Sequence, residues 1–467
     1  MTYGRNRFWV AAKIAVGGFF IAAAITACGD GSSSSVPDSS VPDANIPSSG
    51  TTTYQVGGTV SGLVSGTQLQ LTNGRDALTV TAEGSFAFPA KLVSGSAYSV
   101  TVGAQPMGQN CTVTGAAGTV SAADVATVSV ACKRIAYAYV VNRNSNDVSQ
   151  YSIENNGSLA PMATASVGTG FFGSQAVLVD PTGKYAYIAN SLDDTVSQYT
   201  IGADGSLTPM ATASVAAGLW PGAGAVDPTG KYVYVVNSSG NDVSQYTIGA
   251  NGSLTPMAMS TVVTGSSPFS MTIDRTGKYA YVTNNGGSSV SQYTIGADGS
   301  LTPMATPVVA TGANPESVMV DPTGKYAYVA NNGSASVSQY TIGADGSLTP
   351  MATPTVASGF GPISVLIDPT GKYVYVANSG GDNVSQYTIG TDGSLTAMAT
   401  ATVASGTVPI SVSIDPTGKF VYVVNSGGNS VSQYTIGVDG SLAAMATGTV
   451  AANFAPWSMA TTYAATH

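Results

Sequence analysis

Histidine, the commonest side chain in acid–base catalysis and metal binding, occurs once in this chain, at the last position, His467. The sequence therefore excludes a Ser-His-Asp triad, a histidine general base and a metal cluster built on histidines. Asp193-Asp194 and Asn146-Asp147 are acidic enough to contact Ca²⁺. Neither segment offers the ligand number that Ca²⁺ needs, so we interpret both as exposed loop charge and expect no metal and no cofactor.

Glu316 is the one acidic side chain with a plausible catalytic setting. It follows Pro315 at a position where the other copies of a repeated segment, described below, carry no Glu. A carboxyl group that stands alone near an apolar surface has a raised pKa and can serve as a general acid or base. The interpretation that we favour for Glu316 is nevertheless a solvated carboxylate at the rim of the molecule, so we assign no catalytic residue and keep the general acid or base as the alternative.

Aromatic side chains supply the other candidate site. They occur in segments otherwise rich in Gly, Ser and Thr, where folding alone gives little reason for bulky rings. Aromatic rings with amide and carboxyl groups around a channel mouth suit sugars or apolar peptides. The alternative is that the rings plug the channel or pack between repeats. The candidate binding residues are Gln175, Trp220, Phe269, Glu316, Phe360 and Trp457.

A sevenfold repeat must position these residues. The tetrapeptide Val-Ser-Gln-Tyr ends at seven tyrosines, and from Tyr199 onward successive copies are 47 residues apart. A period of about 40–50 residues built of short strands is typical of β-propeller blades. The seven tyrosines are Tyr151, Tyr199, Tyr246, Tyr293, Tyr340, Tyr387 and Tyr434.

Each copy reads as four strands, A to D from the axis to the rim. Asp-Pro-Thr-Gly suits the A–B turn, because Pro presets φ and Gly accepts a positive φ. These turns and the C–D turns hardly vary between copies, whereas the D–A and B–C loops of the opposite face do. The first copy begins at strand B, near Tyr137, and the last residues, from Pro456, match strand A. We therefore predict an all-β, seven-bladed propeller whose C-terminal strand completes the first blade.

Residues 1–53 indicate export. Positive charges precede an apolar stretch too short for a convincing membrane span, and Ile25-Thr26-Ala27-Cys28 resembles a bacterial lipobox. That resemblance implies a signal peptide over 1–27 and lipidation of Cys28, and hence a cell-envelope protein held at a membrane. Residues 28–53 are rich in Ser, Pro and Asp, which predicts a disordered tether.

Residues 54–133 show short alternating strands and resemble the small Ig-like or carboxypeptidase-regulatory-like β-sandwiches of exported proteins. Cys111 and Cys132 lie in this segment, and an exported protein meets oxidising conditions, so we expect a disulfide between them. Two free buried thiols are the alternative.

Residues 134–467 resemble the YVTN-type, lactonase-like seven-bladed propellers. The motif stands here as Tyr281-Val282-Thr283-Asn284, with variants such as Tyr234-Val235-Val236-Asn237. The resemblance implies relatives such as 6-phosphogluconolactonase and carboxymuconate cyclase, which often carry His or Arg after the Pro that starts strand A. This chain carries neither at the matching positions: Gln175, Gly222, Phe269, Glu316, Ile363, Ile410 and Trp457.

The departure from that pattern decides the leading functional expectation. With no convergent set of catalytic groups apart from Glu316, the sequence favours a non-catalytic binding or surface-interaction protein that takes a glycan, cell-wall or protein ligand on the variable face. A lactonase-like hydrolase or cycloisomerase is the first alternative, and a passive structural or adhesive protein is the second. The net charge of −9 and the lack of a basic stripe exclude nucleic acid as a partner.

Overall fold

The computed structural model describes residues 51–465, and all of its regular elements are β-strands. The predicted signal peptide, the predicted lipidation site Cys28, nearly all of the predicted tether and His467 lie outside the described residues. Within residues 51–465, no helix combines the length and the apolar character needed to span a bilayer.

The first ten strands form two four-stranded sheets and one two-stranded sheet. One large sheet has the order β5-β2-β10-β8, in which β2 and β10 are parallel, and the other has the order β4-β3-β7-β9. The strands are β1 (Thr53–Tyr54), β2 (Val56–Ser61), β3 (Leu69–Asn73), β4 (Asp76–Val80), β5 (Gly84–Ala87), β6 (Leu92–Val93), β7 (Ala97–Ala104), β8 (Gln109–Thr114), β9 (Ala117–Thr119) and β10 (Val125–Arg134).

The two large sheets share one buried core. Val56 and Val60 of β2 and Leu69 and Leu71 of β3 are at most 3% exposed and belong to the same cluster. A disulfide joins Cys111 and Cys132, which face each other on the paired strands β8 and β10. The bridge therefore crosslinks the last two strands before the repeats begin.

The remaining 28 strands form seven four-stranded sheets. They are β11 (Ala136–Asn142), β12 (Asp147–Ile153) and β13 (Leu159–Gly168); β14 (Ser174–Val179), β15 (Tyr185–Asn190), β16 (Thr195–Ile201) and β17 (Leu207–Ala216); β18 (Pro221–Val226), β19 (Tyr232–Asn237), β20 (Asp242–Ile248) and β21 (Leu254–Val263); β22 (Pro268–Ile273), β23 (Tyr279–Asn284), β24 (Ser289–Ile295) and β25 (Leu301–Ala310); β26 (Pro315–Val320), β27 (Tyr326–Asn331), β28 (Ser336–Ile342) and β29 (Leu348–Ala357); β30 (Pro362–Ile367), β31 (Tyr373–Asn378), β32 (Asn383–Ile389) and β33 (Leu395–Ala404); β34 (Pro409–Ile414), β35 (Phe420–Asn425), β36 (Ser430–Ile436) and β37 (Leu442–Ala451); and β38 (Pro456–Tyr463).

The sheets are the blades of a closed ring. Blades 1 to 6 each run A to D in chain order from β14 onward, and strand A of every blade contacts strand A of both neighbours. Blade 7 has the order β13-β12-β11-β38, in which Tyr139 of β11 pairs with Ala460 of β38. The predicted seven-bladed propeller, closed by the C-terminal strand, is therefore confirmed.

The A–B turns show why Asp-Pro-Thr-Gly recurs. In blade 4 the Asp321 carboxylate accepts hydrogen bonds from the backbone N–H groups of Thr323, Lys325 and Tyr326 at 2.9, 2.8 and 2.7 Å. It also accepts the Thr323 hydroxyl at 2.5 Å, and Gly324 has a φ of 71°. The aspartate thus satisfies donors that a tight turn would otherwise leave unpaired.

Three buried side chains per blade link it to its neighbours. In blade 3 the Tyr281 hydroxyl donates to Gly346 O of blade 4 at 2.6 Å, and the Tyr293 hydroxyl donates to Val263 O of blade 2 at 2.6 Å. Gln292 accepts Leu348 N–H of blade 4 through Oε1 at 2.7 Å. The same three bonds occur in all seven blades, so the Val-Ser-Gln-Tyr motif joins neighbouring blades.

Candidate active site

The seven A strands begin around one end of the central channel, where they enclose a cavity of about 140 Å³. The first residue after the start of each strand A lines it, so seven equivalent positions that differ between blades meet there. In order around the ring these are Gln175, Gly222, Phe269, Glu316, Ile363, Ile410 and Trp457. We call this space the mouth cavity.

The mouth cavity is asymmetric. Ile363, Ile410 and Trp457 belong to blades 5, 6 and 7 and make one side apolar. Glu316 and Gln175 bring polar groups to the other side, where Phe269 is the one aromatic ring among the described residues. Gly222 leaves space beside Gln175, since a β-carbon at this position would lie only 3.2 Å from the Gln175 Oε1 atom. A bound molecule would therefore meet an apolar half and a polar half.

Glu316 is held by a single hydrogen bond. The Asn285 amide of the neighbouring blade donates to its Oε1 atom at 2.9 Å, and Asn314 in turn donates to the Asn285 Oδ1 atom at 3.2 Å. The Oε2 atom of Glu316 is buried and has no hydrogen-bond partner among the described residues. Burial raises the pKa of the Glu316 carboxyl to about 7, although the Asn285 hydrogen bond acts in the opposite direction.

Serine hydroxyls form the next layer of the cavity. Five A strands carry Ser at the following position, and each of these serines lines the cavity: Ser270, Ser317, Ser364, Ser411 and Ser458. The Ser317 and Ser364 Oγ atoms accept the Val365 and Val412 N–H groups of the next blade, both at 3.2 Å. Their own O–H protons are therefore free to donate to a ligand.

Arg143 stands at the same position of its B–C loop as Ser238 and Asn285, which lie beside the mouth cavity. Its guanidinium lies over the Trp457 ring, 4.8 Å from the centroid, a cation–π arrangement. Arg143 also lines a second cavity of about 370 Å³ with Phe172, Leu192 and Phe454. Neither Arg143 nor these serines were predicted from the sequence, although the serines from Ser270 to Ser458 recur every 47 residues, which is a signal of a shared role.

Two predicted binding residues lie outside the mouth cavity. Trp220 and Phe360 precede the first strand A residue, so they belong to the loops around the mouth rather than to its wall. Phe360 is 74% exposed, and its ring covers Gly380 of its own B–C loop. The other four, Gln175, Phe269, Glu316 and Trp457, are in the wall.

Trp220 has a backbone that bulky residues seldom adopt. Its φ is 60°, and its N–H donates to the Asp194 carboxylate of the preceding blade at 2.7 Å. The equivalent residue of every blade has a positive φ, and Gly173 and Gly361 show the residue type that this conformation favours. The hydrogen bond from the preceding blade fixes this conformation, which leaves the indole 38% exposed at the rim.

The acidic side chains of Asp193-Asp194 and Asn146-Asp147 accept hydrogen bonds from residues of the surrounding loops and strands. Asp193 accepts the Phe172 N–H group, Asp194 accepts Trp220 N–H, and Asp147 accepts the Asn142 amide at 2.8 Å. Over residues 51–465, no three His, Cys, Asp or Glu side chains are grouped as a metal site.

Comparison with known proteins gives one family and several related folds. The model of the lactonase family, described as a seven-bladed β-propeller, matches residues 130–264 and 243–455. No curated protein matches the chain significantly.

Solved structures share the propeller at low sequence identity. A Bacteroides fragilis protein provisionally named a 6-phosphogluconolactonase has a TM-score of 0.62 and 21% identity over 70% of this chain and 98% of its own. A Lactobacillus plantarum protein has a TM-score of 0.61 and 19% identity over 70% and 99% of the two chains. The periplasmic gluconolactonase of Pseudomonas aeruginosa has a TM-score of 0.61 and 17% identity over 71% and 99%.

These findings correct the leading functional expectation. The absence of His and Arg after the Pro of strand A suggested a non-catalytic binding protein, but the match to the lactonase model spans nearly the whole propeller. That expectation was wrong because it gave most weight to the residue types typical of relatives and little to a raised pKa of Glu316, which burial brings to about 7. The chain belongs to the lactonase family of seven-bladed β-propellers.

Proposed function

We propose that this protein is a lactonase-like hydrolase, that the mouth cavity is its active site and that Glu316 is the general base. The observation that carries the proposal is the state of the Glu316 carboxyl, which has a buried, unpartnered Oε2 atom and a pKa of about 7. A base with a pKa near neutrality suits proton abstraction from water at physiological pH. Membership of the lactonase family supports the reaction class.

The proposed reaction is attack of water on the lactone carbonyl. The Glu316 Oε2 atom takes one proton from the water molecule while the water oxygen bonds to the carbonyl carbon. The ring C–O bond then breaks, and the ring oxygen receives the proton from Glu316, which gives an open-chain hydroxy acid. The Ser317 and Ser364 hydroxyls, which accept backbone N–H groups and can still donate, are suited to stabilise the oxyanion.

The lining favours an uncharged lactone. Among residues 51–465, no Lys or Arg lines the mouth cavity, so a phosphate group would find no ion partner in this part of its wall. Arg143 is stacked on Trp457 and lies in the adjoining cavity. Of the two substrates named for relatives, gluconolactone and its 6-phosphate, we propose that the unphosphorylated lactone is the better one.

Lactone hydrolysis by the full chain and by Glu316→Gln tests the proposal. We expect kcat/KM for glucono-1,5-lactone to fall roughly 10²–10³-fold in the variant, which is within the range for loss of a general base. Activity of the parent should rise with pH through about 7, because the base acts in its ionised form. The measurement is pH-stat titration with the spontaneous rate subtracted.

Asp298→Asn, at an exposed C–D turn, is the control and should retain parent activity, and circular dichroism checks that all variants fold. A parent protein that opens no lactone would contradict the hydrolase. An active parent with unchanged activity in Glu316→Gln would remove Glu316 as the base.

A further inference from the structure

A third cavity, on the face opposite the mouth cavity, lies between blades 6 and 7 and measures about 290 Å³. Its apolar wall includes Ile153, Phe420 and Tyr463. Lys133 and Arg134 reach it from the end of β10, and Lys419 reaches it from the A–B turn of blade 6. We call this space the basic cavity.

The charge of the basic cavity differs from that of the molecule. The protein has a net charge of −9, yet three of its fifteen Lys and Arg residues line this one space. Two acids also lie in its wall and keep their negative charges, so three cations face two anions there. Asp415 accepts the N–H groups of Thr417, Lys419 and Phe420 at 2.8, 2.7 and 2.8 Å, and Glu154 accepts the Ser152 hydroxyl at 3.0 Å.

Contacts with the propeller hold the Arg134 side chain in position. Its guanidinium lies 4.0 Å from the centroid of the Tyr463 ring and donates one hydrogen bond, at 3.4 Å, to Ala464 O. A guanidinium has five N–H donors, so most of them are left for a ligand. Stacking on Tyr463 holds the plane of the group, which reduces the entropy lost when it binds a carboxylate.

The sevenfold repeat provides an internal comparison. In the other six blades the equivalent strand B residue is Tyr, and its hydroxyl donates to a carbonyl of the next C–D turn, for example from Tyr373 to Val438 O at 3.4 Å. Phe420 replaces that Tyr at the basic cavity. The turn it faces also changes, from the usual Gly-x-Asp-Gly type to Glu154-Asn155-Asn156-Gly157. This junction therefore departs from the repeat in two ways where the cations converge.

We propose that the basic cavity binds a small organic anion with an apolar body, such as an aryl or alkyl carboxylate. Lys133, Arg134 and Lys419 bind the carboxylate, and Ile153, Phe420 and Tyr463 contact the apolar body. The site is independent of the proposed hydrolase, because it lies on the other face and shares no residue with the mouth cavity.

Calorimetric titration of the full chain with 4-phenylbutyrate, and with its uncharged amide, tests this proposal. We expect the carboxylate to bind, with an affinity that falls as salt increases, and the amide to bind much more weakly. The double variant Lys133→Gln with Lys419→Gln should weaken binding about tenfold, because it removes two of the three cations that face the carboxylate.

Lys184→Gln with Lys325→Gln is the matched control, because these two lysines follow the A–B turns of blades 1 and 4 as Lys419 follows the A–B turn of blade 6. Parent-like binding in the control together with weak binding in the first double variant would support the site. Equal binding of the amide, equal loss in the control, or no binding of the carboxylate at millimolar concentration would each overturn it.

Discussion

At the scale of single residues, the environment of Glu316 decides its chemistry. Its carboxyl is partly buried beside the apolar half of the mouth cavity and receives one hydrogen bond, from Asn285. Desolvation disfavours the charged form, so the group titrates near pH 7 rather than near its reference value of 4.5. A carboxyl group whose pKa is raised by folding stabilises the folded state most at a pH at which it is protonated.

The stability of Glu316→Gln relative to the parent should therefore depend on pH. Below about pH 4.5 both folded and unfolded parent are protonated, and Gln resembles the protonated acid, so the two proteins should unfold alike. Between pH 4.5 and 7 the carboxyl group ionises in the unfolded parent but stays protonated in the folded parent, so the free energy of unfolding of the parent falls as the pH rises. The total loss, reached above pH 7, is about 3 kcal/mol.

Urea denaturation of both proteins at pH 4.5 and pH 8 measures this difference. We expect the variant to be the more stable protein only at pH 8. Glu154→Gln, at an exposed position, controls for the loss of one negative charge. A variant less stable than the parent at pH 8 would mean that the folded protein favours the ionised carboxylate.

At the scale of elements, the A–B turn depends on its aspartate. In blade 4 the buried Asp321 side chain serves three backbone N–H groups and one hydroxyl, and five other turns repeat this arrangement. The C–D turn uses its aspartate less, since Asp298 is exposed and accepts only the Ser300 N–H and hydroxyl groups, at 3.0 and 2.7 Å.

Asp321→Ala should therefore destabilise the protein far more than Asp298→Ala. Loss of a carboxylate that serves several buried donors costs on the order of 2–4 kcal/mol, whereas the exposed turn should lose less than about 1 kcal/mol. Urea midpoints of the two variants measure the difference, and equal midpoints would show that water replaces the Asp321 carboxylate.

At the scale of the whole molecule, closure of the ring protects the edges of the strands. All seven residues of β11 are buried, because β38 pairs along its whole length and completes blade 7. An unpaired β11 would expose apolar side chains and free backbone groups, which promotes aggregation.

Deletion of residues 455–467 removes β38, and we expect aggregation or a fall of more than about 10 °C in the melting temperature. Deletion of residues 466–467 alone is the control and should leave the melting temperature unchanged. Differential scanning calorimetry and light scattering make the comparison. A truncated protein with the melting temperature of the parent would contradict a ring closed by β38.

The sequence by itself determined the propeller, because its information is local and repeated. Asp-Pro-Thr-Gly predicts a turn, and the short runs of alternating apolar and polar residues predict strands. The seven copies predict seven blades, and because the first copy begins at strand B while the last residues match strand A, they also predict that the ring is closed. The sequence also showed that Glu316 and the other residues after the start of each strand A differ between blades, since the seven copies can be compared without a structure.

Only the tertiary structure decided which of these residues meet and what they can do. The seven wall residues come from blades far apart in the chain, and the ring brings them to one cavity that excludes Trp220 and Phe360. The pKa of Glu316 depends on burial and on Asn285 from another blade, and the basic cavity depends on contact between β10 and blades 6 and 7. Desolvation and convergence of charge are properties of residues brought together in space, and no spacing along the chain encodes them directly.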